Sequence, residues 1–211
     1  MRTSTYKKKA YIYLDLYDYD RDNLLHTKKD LIYFSKFIDN DSKRILTNHS
    51  IQINGINLDD ISSNNLVSDF GPISYKMKSF SEFNNHEILF FHYDSVNFNY
   101  LTQIHLIDNQ FLFAANKLSS TRAIDSNDIL DINNSILSMY KILTPVSETC
   151  DLSIQDQKGN TLVMQYNIDH YSYFIPNNQV FNRLVGKIKN HQTKTKLENN
   201  IRVQSKKWVL D

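Results

Sequence analysis

The chain has 211 residues, a net charge of +1, and 41% hydrophobic and 12% aromatic residues, a balance typical of one globular domain and not of a disordered chain. Cys150 is the only cysteine, which excludes a disulfide within the chain. No run of about 18 apolar residues occurs, so the sequence predicts no transmembrane helix, and we expect a soluble, cytoplasmic protein.

A strand and a helix are predicted at the start of the chain. Apolar and polar residues alternate over residues 10–19, which is the pattern of a strand with one buried face. Asp22 or Asn23 then provides an N-cap for a helix at about residues 24–39. Four apolar residues fall along one side of that helix: Leu24, Leu31, Phe34 and Ile38.

Three β-hairpins are predicted further along the chain. Asn54-Gly55 lies between two short apolar runs, which is the signature of a type I′ turn. Residues 59–72 predict a loop with a short helical turn, and residues 73–80 and 87–94 predict strands. The other two hairpins are predicted around the turns 108–110 and 157–160, and residues 171–176 predict one more short strand.

Two more helices are predicted, and they complete the fold class. Asp125 or Ser126 caps a helix over residues 126–143 that Thr144-Pro145 ends, and residues 178–190 form the other helix. The first of these has an apolar stripe of five residues: Ile129, Ile132, Ile136, Tyr140 and Leu143. Because hairpins dominate, we predict an α+β domain over residues 1–190, with a largely antiparallel sheet and about three amphipathic helices.

Charge is unevenly spread along the chain. Residues 183–211 carry eight basic and two acidic side chains, whereas residues 10–182 carry 12 basic and 21 acidic ones. Residues 191–211 therefore form a basic C-terminal segment, either a returning strand or a flexible tail. A nucleic-acid-binding function is one interpretation, with phosphates neutralised and a base stacked by eight residues: Lys187, Lys189, Lys194, Lys196, Arg202, Lys206, Lys207 and Trp208.

Three aspartates follow the first predicted strand at every second position: Asp18, Asp20 and Asp22. If the strand continues, they share one side of it, where carboxylates can hold a divalent cation for phosphoryl transfer or nuclease chemistry. The alternative is that they keep the end of the strand solvated and cap the helix. The spacing does not complete an EF-hand loop, because Asn23 and Lys29 stand where glycine and glutamate are required.

Motifs of the common enzyme classes are absent from the sequence. Neither of the glycine-rich phosphate-binding motifs occurs, and the histidines lack the spacing of zinc ligands. The sequence therefore predicts no catalytic residue and no cofactor, and it favours a protein that is not an enzyme.

A tyrosine-rich acidic surface is the main candidate site. Tyrosines on the first predicted strand lie opposite its aliphatic face, and tyrosine is enriched at protein interfaces. The alternative is that helices cover this face. The predicted partner-binding residues are Tyr13, Asp15, Tyr17, Asp18, Tyr19 and Asp20. The sequence thus favours a protein-binding module, most concretely an immunity or antitoxin-like protein, or a phage or mobile-element accessory protein, that masks a partner.

We expect the double substitution Tyr17→Ala with Asp18→Ala to abolish binding to a partner protein, because it removes an aromatic anchor and an adjacent charge. Affinity capture of the tagged protein, with and without nuclease treatment, identifies the partner. Unchanged capture by the double variant would show that the predicted surface is wrong.

Overall fold

The computed structural model describes residues 24–25, 27–39, 44–78, 83–94, 99–119, 124–143, 151–165 and 171–190. The helices are α1 (Lys28–Asp39), α2 (Leu66–Phe70), α3 (Ser126–Met139) and α4 (179–190), with a 3-10 turn at Leu58–Asp60. The strands are β1 (Arg44–Leu46), β2 (Gln52–Ile53), β3 (Ile56–Asn57), β4 (Tyr75–Lys78), β5 (His86–Asp94), β6 (Asn99–Ile107), β7 (Gln110–Ser119), β8 (Leu152–Gln155), β9 (Thr161–Met164) and β10 (Tyr171–Ile175). The predicted strand over residues 10–19 and the segment 191–211 lie outside the described residues.

Eight strands form one mixed sheet in the order β1-β8-β9-β10-β7-β6-β5-β4, and β2 and β3 form a separate hairpin. Six of the seven neighbouring pairs in the large sheet are antiparallel, and only β1 and β8 pair in parallel. The α+β class and the largely antiparallel sheet predicted from the sequence are confirmed.

Two of the predicted hairpins have tight turns with left-handed backbone. Asn54 and Gly55 have φ angles of 52° and 82°, so both central residues are positive, as a type I′ turn requires. Asp108 and Asn109 have φ angles of 52° and 60°, which makes a second turn of the same kind. That turn has two residues and not the three predicted, because Gln110 already belongs to β7.

The N-terminal ends of the long helices are fixed by short polar contacts. In α1 the backbone N–H of Thr27 donates to Asp30 Oδ2 at 2.7 Å, so the helix begins at Lys28 and not at residue 24. In α3 the predicted cap Asp125 accepts from the backbone N–H of Asp128, whose side chain accepts from that of Asp125. This reciprocal pair is a capping box, with aspartate in the place of the usual glutamate.

The C-terminal end of α3 differs from the prediction. The helix ends at Met139, and Lys141 has a positive φ of 57°. The N–H of Lys141 donates to the carbonyl of Ser138, and that of Ile142 donates to the carbonyl of Leu137, which together form a Schellman motif. The chain therefore turns away before Leu143, which is 93% exposed, so placing Leu143 on the buried stripe was wrong.

The sheet has a core on each face, because alternate residues of a strand point to opposite sides. On one face, Ile104, Leu162 and Phe174 pack with α2, α3 and the β2–β3 hairpin. On the other face, Val163 and Tyr173 pack with α1 and α4. The layers are therefore helices, sheet and helices, in an α+β connectivity.

A buried carboxylate connects the two halves of the chain. Asp156 Oδ1 accepts from the N–H groups of Lys158 and Asn160 at 2.9 Å, and Oδ2 accepts from Asn160 Nδ2 at 3.1 Å and from the N–H of Ile51 at 3.0 Å. Asn160 Oδ1 in turn accepts from the N–H of Asn177 at 2.8 Å. The β8–β9 turn is thereby joined to the segment before β2 and to the segment before α4.

We expect Asp156→Ala to lower the free energy of unfolding by about 3 kcal/mol, because it leaves several donors without an acceptor, some of them buried. Urea denaturation at pH 7 measures the change. Lys158→Ala is the matched control. It removes only the exposed ion pair with Asp59, so it should change the free energy of unfolding little. Equal effects of the two substitutions would contradict a structural role for Asp156.

Candidate functional site

A cavity of about 670 Å³ lies between α3 and the sheet. Ligand pockets in proteins usually enclose about 300–1,000 Å³ and are mostly apolar with a few polar groups. Its lining comes from one side of α3, from the face of the sheet that α3 packs on, and from the β2–β3 hairpin at one end. We call this volume the α3 cavity.

The side that α3 turns to the cavity follows from helical spacing. Ile129, Ile132 and Ile136 are three and four residues apart, so they share one side of the helix and line the cavity as predicted for an apolar stripe. Asn133 lies on the same side, one turn from Ile129 and Ile136. Three branched aliphatic side chains and one amide thus face the sheet.

Alternation along the strands gives the floor a polar and an apolar part. Asn116 of β7 and Ser172 of β10 are direct neighbours across the two strands, and both line the cavity. Thr102 Oγ1 donates to Asn116 Oδ1 at 2.7 Å, which fixes the orientation of that amide. Leu162 of β9 and Phe174 of β10 form the apolar part. The floor therefore offers hydrogen bonds on one side and apolar contact on the other.

Two tyrosines line the cavity with neutral hydroxyl groups. Burial raises the pKa of Tyr100 above its ordinary value of 10.0. The pKa of Tyr140 is also raised, first by burial and further by the charge of Asp156, although the hydrogen bond to Gln52 opposes the shift. Both phenols are therefore uncharged at physiological pH.

The end wall is attached to α3 through Tyr140. The Tyr140 hydroxyl donates to the carbonyl of Gln52 at 3.3 Å and accepts from the N–H of Gln52 at 3.2 Å. Thr47 Oγ1 donates to the carbonyl of Tyr140 at 2.9 Å. Both contacts join the C-terminal end of α3 to the chain that leads into the β2–β3 hairpin, so the size of the cavity depends on this residue.

Asn133 is the one cavity-lining side chain, among the described residues, with a buried polar atom that lacks a hydrogen-bond partner. The residue is 3% exposed, and its Nδ2 atom has no acceptor within hydrogen-bonding distance. A buried donor without an acceptor costs about 1–3 kcal/mol. Because Nδ2 is enclosed by protein atoms, an acceptor in the cavity does not reach it.

The charges around the cavity are acidic. Asp128 and Asp131, both on α3, are the charged residues in its lining, and no lysine, arginine or histidine of the described chain lines it. Carboxylates at this position repel anions and tolerate neutral or cationic groups.

Of the site residues predicted from the sequence, the structure describes two, Lys187 and Lys189. The tyrosine-rich acidic surface, the aspartates 18, 20 and 22, and the basic residues from Lys194 onward lie outside the described residues. Lys187 and Lys189 are exposed on α4, which packs on the opposite face of the sheet. No group of three or more potential metal ligands occurs among the residues that the structure describes.

Asn133 was missed by the sequence analysis, although the sequence contains a signal for it. It lies four residues after Ile129 and four before Leu137, so it interrupts the buried side of a helix with an amide. A polar residue on a buried helical face requires a partner, and α3 provides none. The interruption itself was the available indication of a site.

No protein-family model, curated protein sequence or solved structure matches this chain. Within the described ranges, no helix is both long and apolar enough to cross a membrane. The class of protein that can be stated is an α+β domain with a cavity between a helix and an eight-stranded sheet.

We expect Tyr140→Phe to lower the free energy of unfolding at pH 8 by about 1 kcal/mol, because two hydrogen bonds to Gln52 are lost. The folded-state pKa of Tyr140 is raised, so its stabilising contribution is fully present below pH 10.0 and is lost as pH rises through the folded-state pKa. Urea denaturation from pH 8 to pH 11.5 should therefore show the difference between wild type and variant shrinking at the alkaline end. A constant difference across this range would contradict the assignment.

Proposed function

We propose that this protein is a binding protein that takes a small, largely apolar molecule into the α3 cavity. The observation that supports the proposal is the cavity itself, with a volume of about 670 Å³. Its lining contains eight apolar side chains, nine neutral polar side chains and the carboxylates of Asp128 and Asp131. Apolar area that buries a small ligand, with polar groups that orient it, is typical of ligand pockets.

The apolar side chains of α3 support an occupant. The cavity is open to solvent, so part of their surface is in contact with water, and covering apolar surface is favourable. Ile129, Ile132 and Ile136 are only partly buried over the cavity, although they lie on the inward side of α3. A bound apolar molecule would contact the surface of these three side chains that the sheet does not cover.

Protein binding through the tyrosine-rich acidic surface is a second proposal, and it is independent of the cavity. It is supported by the spacing of the tyrosines and aspartates between Tyr13 and Asp20. An immunity-like or accessory protein that masks a partner would act through that surface. Nucleic-acid binding through residues 187–208 and cation-dependent chemistry at Asp18, Asp20 and Asp22 stay predictions of the sequence.

We expect Nile red, a neutral dye that fluoresces in apolar surroundings, to bind with a dissociation constant in the micromolar range. Ile132→Trp should weaken that binding at least tenfold, equivalent to about 1.4 kcal/mol, because the indole occupies the cavity. Val67→Trp is the matched control, since Val67 is exposed on α2 and does not line the cavity, and it should leave the affinity unchanged. Dye fluorescence titrated at constant protein concentration gives all three constants.

Thermal unfolding of each variant establishes that it is folded before the titrations are compared. Equal Nile red affinity in Ile132→Trp and wild type would place the dye elsewhere and contradict the proposal. Absence of dye binding to the wild-type protein would contradict it as well.

A further inference from the structure

We infer that Asn116 and Ser172, on the floor of the α3 cavity, bind a carbonyl oxygen of the ligand with two hydrogen bonds. The inference rests on the proposed function, because it requires that the cavity binds a small molecule. It adds the chemical class of that molecule, an apolar ketone, ester or amide, and the two residues that recognise it.

The two side chains are neighbours on the side of the sheet that faces α3. Ser172 of β10 lies directly opposite Asn116 of β7 in an antiparallel pair, where Cβ atoms are about 4.5–5.5 Å apart. Because side chains alternate along a strand, Asn116 shares the side of Ala114, which packs in the core beside α3. Ser172 shares the side of Phe174, which packs in the same core. Both residues line the cavity and are partly exposed.

The amide of Asn116 has one end occupied by the fold. Thr102 is fully buried, and its hydroxyl donates to Asn116 Oδ1 at 2.7 Å. Turning the amide around would place Nδ2 against this hydroxyl and leave a buried O–H without its acceptor, which is unfavourable. Nδ2 is therefore the end that remains for a ligand, and within the described residues it has no acceptor.

The Ser172 hydroxyl is the second donor. It makes no hydrogen bond with any residue that the structure describes. Some polar atoms of the described residues are both unpaired and enclosed by protein, such as Asn133 Nδ2, but Asn116 Nδ2 and Ser172 Oγ are not among them. Because both residues keep exposed surface on the cavity side, a ligand in the cavity can reach these two donors.

Two donors side by side favour a carbonyl group. A carbonyl oxygen has two lone pairs and can accept from the amide N–H and from the hydroxyl at the same time. A hydrocarbon of the same shape would displace water from both donors and leave them unpaired, and such sites reject analogues that cannot pair with them. A ligand group that can only donate would face the N–H of Asn116 with a second donor.

Benzophenone and diphenylmethane test this selectivity, because they differ only in a carbonyl that replaces a methylene group. Isothermal titration calorimetry at pH 7.5 gives both affinities, and the quantity compared between proteins is their ratio, benzophenone over diphenylmethane. Asn116→Asp keeps an acceptor for Thr102 and replaces the donor by an oxygen, so the ratio should fall about tenfold relative to wild type. Ser172→Ala removes the other donor, so a fall of about threefold is expected.

Two further variants locate the effect. Thr102→Val removes the hydroxyl that orients the amide, so either end of Asn116 can face the ligand and the ratio should also fall. Asn127→Asp is the matched control, since it adds the same charge to an exposed residue of α3 outside the lining, and it should keep the wild-type ratio. Thermal unfolding shows that each variant is folded, and Ser172→Ala, the smallest change, keeps the test decisive if another variant does not fold.

The infrared carbonyl stretch of isotope-labelled benzophenone gives a readout that does not depend on affinity. Hydrogen bonds lower the frequency of this stretch, so the band of the bound ketone should lie at a higher frequency in Asn116→Asp and in Ser172→Ala than in wild type. A bound band in wild type at the frequency found in an apolar solvent would contradict the two hydrogen bonds.

The outcomes separate the inference from the proposed function. Wild-type ratios in Asn116→Asp and Ser172→Ala would overturn the inference and leave the cavity as a binding site. Binding of Nile red without binding of benzophenone would overturn the inference alone. If neither probe binds to the wild-type protein, and Nile red does not bind, both proposals fail.

Discussion

The carboxylate of Asp156 is the interaction on which the geometry of the cavity depends. It accepts the N–H of Ile51, the residue before β2, and it also accepts two N–H groups within the β8–β9 turn. The β2–β3 hairpin starts immediately after Ile51 and forms the end wall of the α3 cavity. One buried charge, with four hydrogen-bond donors around it, thus sets where that wall stands relative to the floor formed by β9 and β10. The donors compensate the carboxylate for the loss of water.

Helix α3 is fixed at its two ends, and Ile136 and Leu137 pack it on the core beside the cavity. The capping box of Asp125 and Asp128 defines its start, and the Schellman motif at Lys141, with the contacts of Tyr140, defines its end. Between these ends the helix passes over the cavity and carries Asn133, a residue that does not improve packing. Under the proposed function, these contacts would form the site before a ligand arrives, because they hold α3 without one. A preformed site avoids the ordering entropy that a flexible one loses on binding.

The sequence predicted local structure well where the signal was local. Asn54-Gly55 specified its turn, Asp125 specified the start of α3, and alternation specified the strands of the hairpins. The prediction for Leu143 was wrong, because α3 ends at a left-handed residue, Lys141. Glycine usually occupies that position, and lysine has no preference for the left-handed region that would predict the end of a helix. The cavity could not be predicted, because it depends on how α3, β7, β9 and β10 approach one another across many residues. Asn133, an amide within the apolar stripe of α3, was the one indication of the cavity in the sequence.

The single parallel pair of the sheet has a consequence for the order of folding. Arg44 of β1 pairs with Ser153 of β8, two residues that are 109 positions apart in the chain, whereas β5, β6 and β7 follow one another through short connections. Closing a long loop costs more chain entropy than closing a short one, and distant pairings form slowly. We therefore expect the β5–β7 meander to form before β1 pairs with β8. During synthesis on the ribosome, β1 emerges before β8, so this parallel pair cannot form until β8 has been made.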